Sequence, residues 1–564
     1  MADVDNAGRS GISTRSGAQP VEAGLGIVHA NTLLATTDDE LAARPPTASF
    51  ELWVGDRKCS DRVAELGLGP GKYEALTRLS MSHGAAIEKK TRLHLIDPSR
   101  ICRRFGARYG SLEYDLPVVT GPGKTQPWET LWKTGPVQDI VVDFEQPYKF
   151  VLWRGMSFAP SWALGNVMTC NFFAETVEPG VFRDCCEMMS DRECRYIHAR
   201  VIHNSPARVV IHWRHPLSDS DYTICRDQWV DEIYYIYPDG VAVRNVTIHL
   251  DPADETAWET CPRTGRRVPC NMMGAPPGKR TFNNMEFITV NPPGATSDDV
   301  TPLDAFTMLD AHEFLQTYTW PEPPDLGGES QPELSEYIFR MNYRHRPGVF
   351  IASHAPGLQV RLMRKTSAIR YEAGARVQDD RWVHVPTIPS NFYDCVHWPI
   401  TRGYGTTPLA DLAEYHDRPT HTFLGHADNA PVEVRENGAV TWRWLSGIAP
   451  EDNAQLRAQV GAWASPPEVK GARYDGGQRA YVVEASGNYV ELTISSPQPP
   501  ASATFVLVGH HAKALRVEID GRPVDRSDLA IGTERTIDSV QTVVTFQRMP
   551  PACRTIAFCD LQPK

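Results

Sequence analysis

The chain has 564 residues, 41% of them hydrophobic and 22% charged, which is enough for more than one domain and a large buried core. Its 14 Trp, 19 Tyr and 19 Phe exclude disorder for the bulk of the chain, and no apolar run approaches the ~20 residues of a membrane helix. With 57 basic against 69 acidic side chains, a net charge of −12 argues against a general nucleic-acid binder, but not against an anionic ligand held by a local arginine cluster.

The N-terminal run MADVDNAGRSGISTRSGAQPVEAG lacks the basic start, apolar centre and small-residue cleavage site of a secretory signal. A cytoplasmic location is the expectation, or a secreted one if a leader is missing or non-standard. The 12 cysteines form no CxxC pair, and Cys185 and Cys186 are adjacent. Isolated buried thiols in a reducing compartment are therefore expected rather than a zinc site.

Residues 1–46 are Gly/Ala/Thr-rich without an apolar period and read as a disordered tail. Residues 47–463 read as the main β-rich domain. Lys72–Leu79 is one of two helical candidates. Strand patterns follow at Ile140–Phe144, Lys149–Trp153, Ala207–Arg214 and Leu358–Met363, punctuated by Pro and Gly. Asn453–Trp463 is the second helical candidate, and Ala464–Glu468 reads as a linker. Residues 469–564 carry five short strand patterns: Gln478–Glu484, Tyr489–Ile494, Thr504–Gly509, Leu515–Ile519 and Val540–Phe546. They predict a C-terminal β-sandwich. The fold class expected is all-β, with large antiparallel sheets in a supersandwich-like arrangement. A β-propeller is the alternative, though no repeat of fixed period is visible.

Two hairpins carry the most chemistry. In Arg195–Arg214, Asn204-Ser205-Pro206 forms a turn signal. A three-residue loop there pairs His203 with Ala207 and sets His198 opposite His212, Tyr196 opposite Arg214 and Arg200 opposite Val210. Alternation then places Ile197, Ala199, Val201, Val209, Ile211 and Trp213 on an apolar face. The other face carries Tyr196, His198, Arg200, His212 and Arg214, with neither Lys nor an acid, which is unusual for a merely solvated strand face. In Glu232–Val246, Pro238-Asp239-Gly240 closes a hairpin that pairs Tyr237 with Val241 and sets Tyr234 opposite Arg244, with Glu232 beside them. Ile233, Tyr235, Val241 and Val243 are expected to face the core.

Trp153-Arg154-Gly155 with Trp162, Asn166 and Asn171 combines aromatic platforms with polar ends, as does Cys395-Val396-His397-Trp398-Pro399 with Arg402. Such surfaces suit sugars, because ring faces stack on Trp and hydroxyls need polar partners. His198 and His212 could share a metal ion, but no third ligand is expected beside them, and no cofactor is required. There is no GxSxG, HExxH or P-loop signature; Gly121-Pro122-Gly123-Lys124-Thr125 has Val118 where a phosphate loop needs glycine.

The runs DRECRYIHARVIHNSPARVVIHWR and WVDEIYYIYPDGVAVR resemble those of large β-rich bacterial polysaccharide lyases, near the ulvan-lyase-like and other uronate lyases. FVLWRGMSFAPSW, HWPIT, RPTHT and WASPPE extend the resemblance over roughly 140–480. It implies β-elimination on a uronic-acid-containing glycan, with an anionic oligo- or polysaccharide as partner and neither nucleic acid nor membrane. Elimination requires neutralising the carboxylate, removing the C5 proton and protonating the leaving oxygen. Arg214 and Arg244 would neutralise, since a guanidinium fork matches a carboxylate. His212 or His198 would be the base. Tyr234 would protonate the leaving group, or act as base if arginines lowered its pKa, so Tyr234→Phe is expected to remove turnover. Arg200, Tyr196, Arg154, Trp162, Asn171, His397, Trp398 and Arg402 would bind substrate. The alternatives are a glycoside hydrolase, with Glu175, Glu187, Asp231, Glu232 and Glu286 as available carboxylates, and a non-catalytic glycan-binding protein.

Overall fold

The computed structural model describes most of residues 139–362 and 431–563, together with separate strands and short stretches within 26–28, 49–59, 71–80, 86–96, 104–110, 117–127, 370–377 and 420–428. The chain gathers into two compact units. One comprises Met1–Arg103, Ser111–Tyr114 and Thr134–Val137, and the other the rest.

The first unit holds a five-stranded antiparallel sheet centred on Gly71–Ser80, flanked by Ser49–Val54 and Ala86–Ile96. Gly26–Val28 pairs with Ile96–His94; the remainder of the expected tail lies outside the described residues. The helix expected over Lys72–Leu79 is a strand. In that run Tyr73, Ala75, Thr77 and Leu79 alternate with Lys72, Glu74, Leu76 and Arg78, so period two is available as well as a helical period. Pairing on both sides settles it, and Arg78 meets Glu88, its cross-strand partner, at 2.5 Å.

The second unit is a β-sandwich rather than a ring of blades. A seven-stranded antiparallel sheet contains Asp139–Asp143, Tyr148–Leu152, Pro160–Leu164 and Val167–Cys170 as neighbours. An eleven-stranded sheet begins with β1 (His198–Asn204), β2 (Val209–Ser218), β3 (Ile224–Tyr237) and β4 (Val241–His249). It continues through β5 (Ala439–Ile448) to Arg346–Leu362, Leu334–Tyr343 and the pair Asp304–Leu309 and Leu315–Thr319. The inner faces of the two sheets meet. The Phe150 ring is 5.5 Å from that of Tyr234, and Trp162 Nε1 donates to Ser446 Oγ at 3.3 Å. Tyr343 Oη bonds Thr289 Oγ1 at 2.9 Å and also Thr169 Oγ1. At the β3–β4 turn Gly240 has φ +78°, and the Tyr148 ring occupies the place a Cβ would take.

The opposite, outer face of the large sheet is covered in part by α1 (Asn453–Ala464), the one α-helix among the described residues. Asp452 caps it by accepting from Ala454 N at 2.8 Å, and the chain leaves it before Pro466 and Pro467. Leu456, Val460 and Trp463 recur at helical spacing and pack with Val241, Val243, Leu445, Ala352 and Ile338.

From Val469 the chain forms two further five-stranded sheets around a core that includes Tyr481, Leu492, Phe505, Val544, Phe546 and Phe558. The two sheets contain strands at all five expected C-terminal sites and five more, among them Leu529–Arg535 and Thr555–Cys559. This part docks on the β1–β2 turn. The Arg208 guanidinium, 1% exposed, takes both Glu534 oxygens at 2.7 Å, and Thr545 Oγ1 donates to Ala207 O at 3.0 Å.

Candidate functional site

In the β1–β2 hairpin the pairing is offset by two residues from the expected register. Arg200 lies opposite His212 and His198 opposite Arg214, with a bulge between Val201 and His203. The turn spans Ser205–Arg208 rather than three residues, because Ser205 bridges it: its N–H and O–H both donate to Arg208 O at 3.1 Å. Asn204, expected in the loop, ends β1 and trades side-chain hydrogen bonds with Ala107 N and O. An offset of two preserves the faces, so His198, Arg200, His212 and Arg214 share the outer face as expected. Tyr196 lies before β1, half-buried, its N–H donating to Asp191 Oδ2 at 2.9 Å.

The neighbouring strand adds an acid that the isolated hairpin did not reveal. Asp231 on β3 lies opposite Arg214. Its Oδ1 is 2.7 Å from His212 Nε2 and its Oδ2 accepts from Arg214 Nη1 at 2.5 Å. Burial alone would raise the Asp231 carboxyl, but hydrogen bonds from His212 and Arg214 outweigh it and hold it below the usual carboxylate range. An ionised carboxylate only accepts, so His212 Nε2 is the donor in this hydrogen bond and Nδ1 is turned away from Asp231. The side chains are 19% (His212), 25% (Asp231) and 41% (Arg214) exposed, so the group is reachable from solvent. Arg214 also lies 5.0 Å over the Trp229 ring. The face is thus an oriented imidazole flanked by Arg200, Arg214 and exposed His198.

The second hairpin has the expected register, with Tyr237 opposite Val241 and Tyr234 opposite Arg244. Its faces are the reverse of expectation. Glu232, Tyr234 and Arg244 point into the sandwich and are fully buried, whereas Ile233 and Tyr235 are on the outer face and half-buried. Seen alone, the hairpin offered Val241 and Val243 as the core side. Both sides of β4 are in fact covered, one by α1 and the other by the seven-stranded sheet. Glu232 takes Arg244 Nε at 2.7 Å and Nη2 at 2.6 Å, and accepts from Tyr234 Oη at 2.6 Å. His215 Nε2 is 3.4 Å from the same carboxylate. Burial opposes the charge on Glu232, but Arg244 outweighs it and brings the pKa down to about 2. Burial, then Glu232, raises Tyr234 well above its ordinary 10.0, the opposite of the activation expected. Tyr234 and Arg244 therefore lack the solvent access a substrate-contacting role requires.

Arg154 and Trp162 are likewise interior. Arg154 donates to Asp139 through its backbone N and its Nη1, both at 2.6 Å. Trp162 is fully buried. Asn166, Asn171, His397, Trp398 and Arg402 lie outside the described residues, as does Glu286. Among the other carboxylates, Glu175 and Glu187 are direct cross-strand partners, Glu175 buried and Glu187 half-buried. Among the described residues no group of three or more His, Cys, Asp or Glu gathers as a metal site.

No family profile matches this chain, and no curated protein does. Among solved structures, the galactose 1-epimerase of Lactobacillus acidophilus NCFM is similar over 61% of this chain and 98% of its own, at 7% identity and a TM-score of 0.24.

Proposed function

We propose that the outer face of β1–β3 takes an acidic glycan and that His212 removes the proton beside its carboxylate, which makes the protein a uronate-directed polysaccharide lyase. The supporting observation is the His212–Asp231 pair, half-exposed and bracketed by Arg200 and Arg214. Asp231 fixes the tautomer that leaves Nδ1 basic, as the carboxylate does in other His–Asp pairs. Arg200 supplies a guanidinium to the substrate carboxylate, where charge builds as the C5 proton leaves. Arg214, already held by Asp231 and Trp229, adds positive potential. The electron pair from C5–H becomes the C4–C5 double bond, the C4–O bond breaks, and the leaving oxygen takes a proton from solvent or from His198.

The test is a screen against uronate-containing polysaccharides that follows ultraviolet absorbance of the new double bond alongside reducing ends. Both should rise together, and His212→Gln should lower the rate about 10²–10⁴-fold. Reducing ends without absorbance would select hydrolysis instead.

A further inference from the structure

The row of outer-face residues that contains His212 continues across the sheet. His212 is opposite Ile233, Ile233 opposite Asn245, and Asn245 opposite Arg443 on β5. Direct cross-strand partners share a face, and three inter-strand steps carry the row about 14 Å from His212. Arg443 is half-buried. Its Nε donates to Asn245 Oδ1 at 3.0 Å, and Asn245 Nδ2 donates to Gly477 O at 2.7 Å.

The C-terminal loop closes tightly on this arginine. A Cβ on Gly477 would lie 2.9 Å from Arg443 Nη2 and 3.0 Å from Asn245 Oδ1, and one on Gly476 3.3 Å from Nη1. A side chain at either position would press on the guanidinium. Among the described residues no carboxylate pairs with Arg443. Asp475 is engaged by Gly477 N at 2.9 Å and Gln478 Nε2 at 2.9 Å, and Glu433 is taken by Arg435 at 2.8 Å. Burial lowers the Arg443 pKa from its ordinary 12.5, with Asp475, Tyr474 and Glu433 opposing only in part. A half-buried cation with no carboxylate in direct contact gains from an anion that completes it.

We propose that Arg443, positioned by Asn245 and walled by Gly476 and Gly477, is a second anion subsite for a carboxylate or sulfate of the same glycan. The ligand is then an oligosaccharide lying across the strands, not a single sugar. This rests on the acidic-glycan reading and adds to it a minimum ligand length and a role for the C-terminal sandwich.

The experiment is calorimetric titration of the full chain with a dimer and a hexamer of galacturonate, with chondroitin sulfate oligomers of the same lengths in parallel. The hexamer should bind at least about tenfold more tightly than the dimer. Arg443→Gln should abolish that gain while leaving dimer affinity within about twofold, and Arg443→Lys, which keeps the charge, should retain part of it. A gain confined to the sulfated series assigns sulfate to Arg443, and a gain in both assigns carboxylate. Equal affinity for dimer and hexamer, or a length preference that survives Arg443→Gln, overturns this inference alone. Failure of every oligomer to bind sinks the acidic-glycan reading and this inference together.

Discussion

Asp231 and Glu232 are adjacent in sequence and end up in opposite environments. Asp231 points outward and holds His212 and Arg214 at a half-exposed surface, while Glu232 points inward and is sealed with Arg244 and Tyr234. The two carboxylates have similar partner types, and both are held below the ordinary range by them. The difference is access. Strand alternation turns one acid–base constellation into a surface available for chemistry and the next into a fastening between sheets.

That contrast breaks most visibly in stability. Arg244→Leu should cost about 3–5 kcal/mol, because it removes the guanidinium that balances the buried Glu232 carboxylate. Chemical denaturation measures this, and joint replacement of Glu232 and Arg244 by apolar residues should recover most of the loss. Tyr234→Phe should cost less, about 1.5–3 kcal/mol for one hydrogen bond to a charged group, with turnover per folded molecule unchanged. Asp231→Asn should change stability by no more than about 1 kcal/mol, since its partners are partly solvated, yet lower activity by loosening the His212 tautomer.

Acid separates the two acids as well. A carboxyl whose folded pKa is depressed contributes stability above its unfolded value and loses it as pH falls through the folded one. Glu232 should therefore contribute fully above its ordinary 4.5 and lose that contribution between 4.5 and about 2. In Glu232→Gln/Arg244→Met this part of the acid transition should vanish, whereas Asp231→Asn should leave most of it in place. Melting temperature followed from pH 6 to pH 2 checks the assignment.

Much of this was legible in the sequence, and the exceptions have physical causes. The all-β class, a helix over Asn453–Trp463 and the Tyr234–Arg244 register follow from local pattern and turn chemistry, which act over a few residues. The His/Arg face of β1–β2 is common to the expected and observed registers because the two differ there by two residues. What could not be read was which side of the second hairpin faces the interior. That depends on α1 and the seven-stranded sheet, both distant in sequence. Asp231 was visible as a carboxylate, but joining it to His212 required carrying the register across a third strand, past the irregularity between Pro216 and Ser218. Lys72–Leu79 satisfied both periods, and its two strand partners decided between them.

The most direct test sets His212→Gln beside Tyr234→Phe in the absorbance assay on an acidic polysaccharide, with rates normalised to folded protein. The account predicts that His212→Gln loses the signal and Tyr234→Phe keeps it. Retained elimination in His212→Gln, with loss in Tyr234→Phe, would contradict it and move the chemistry to the buried side of the sheet.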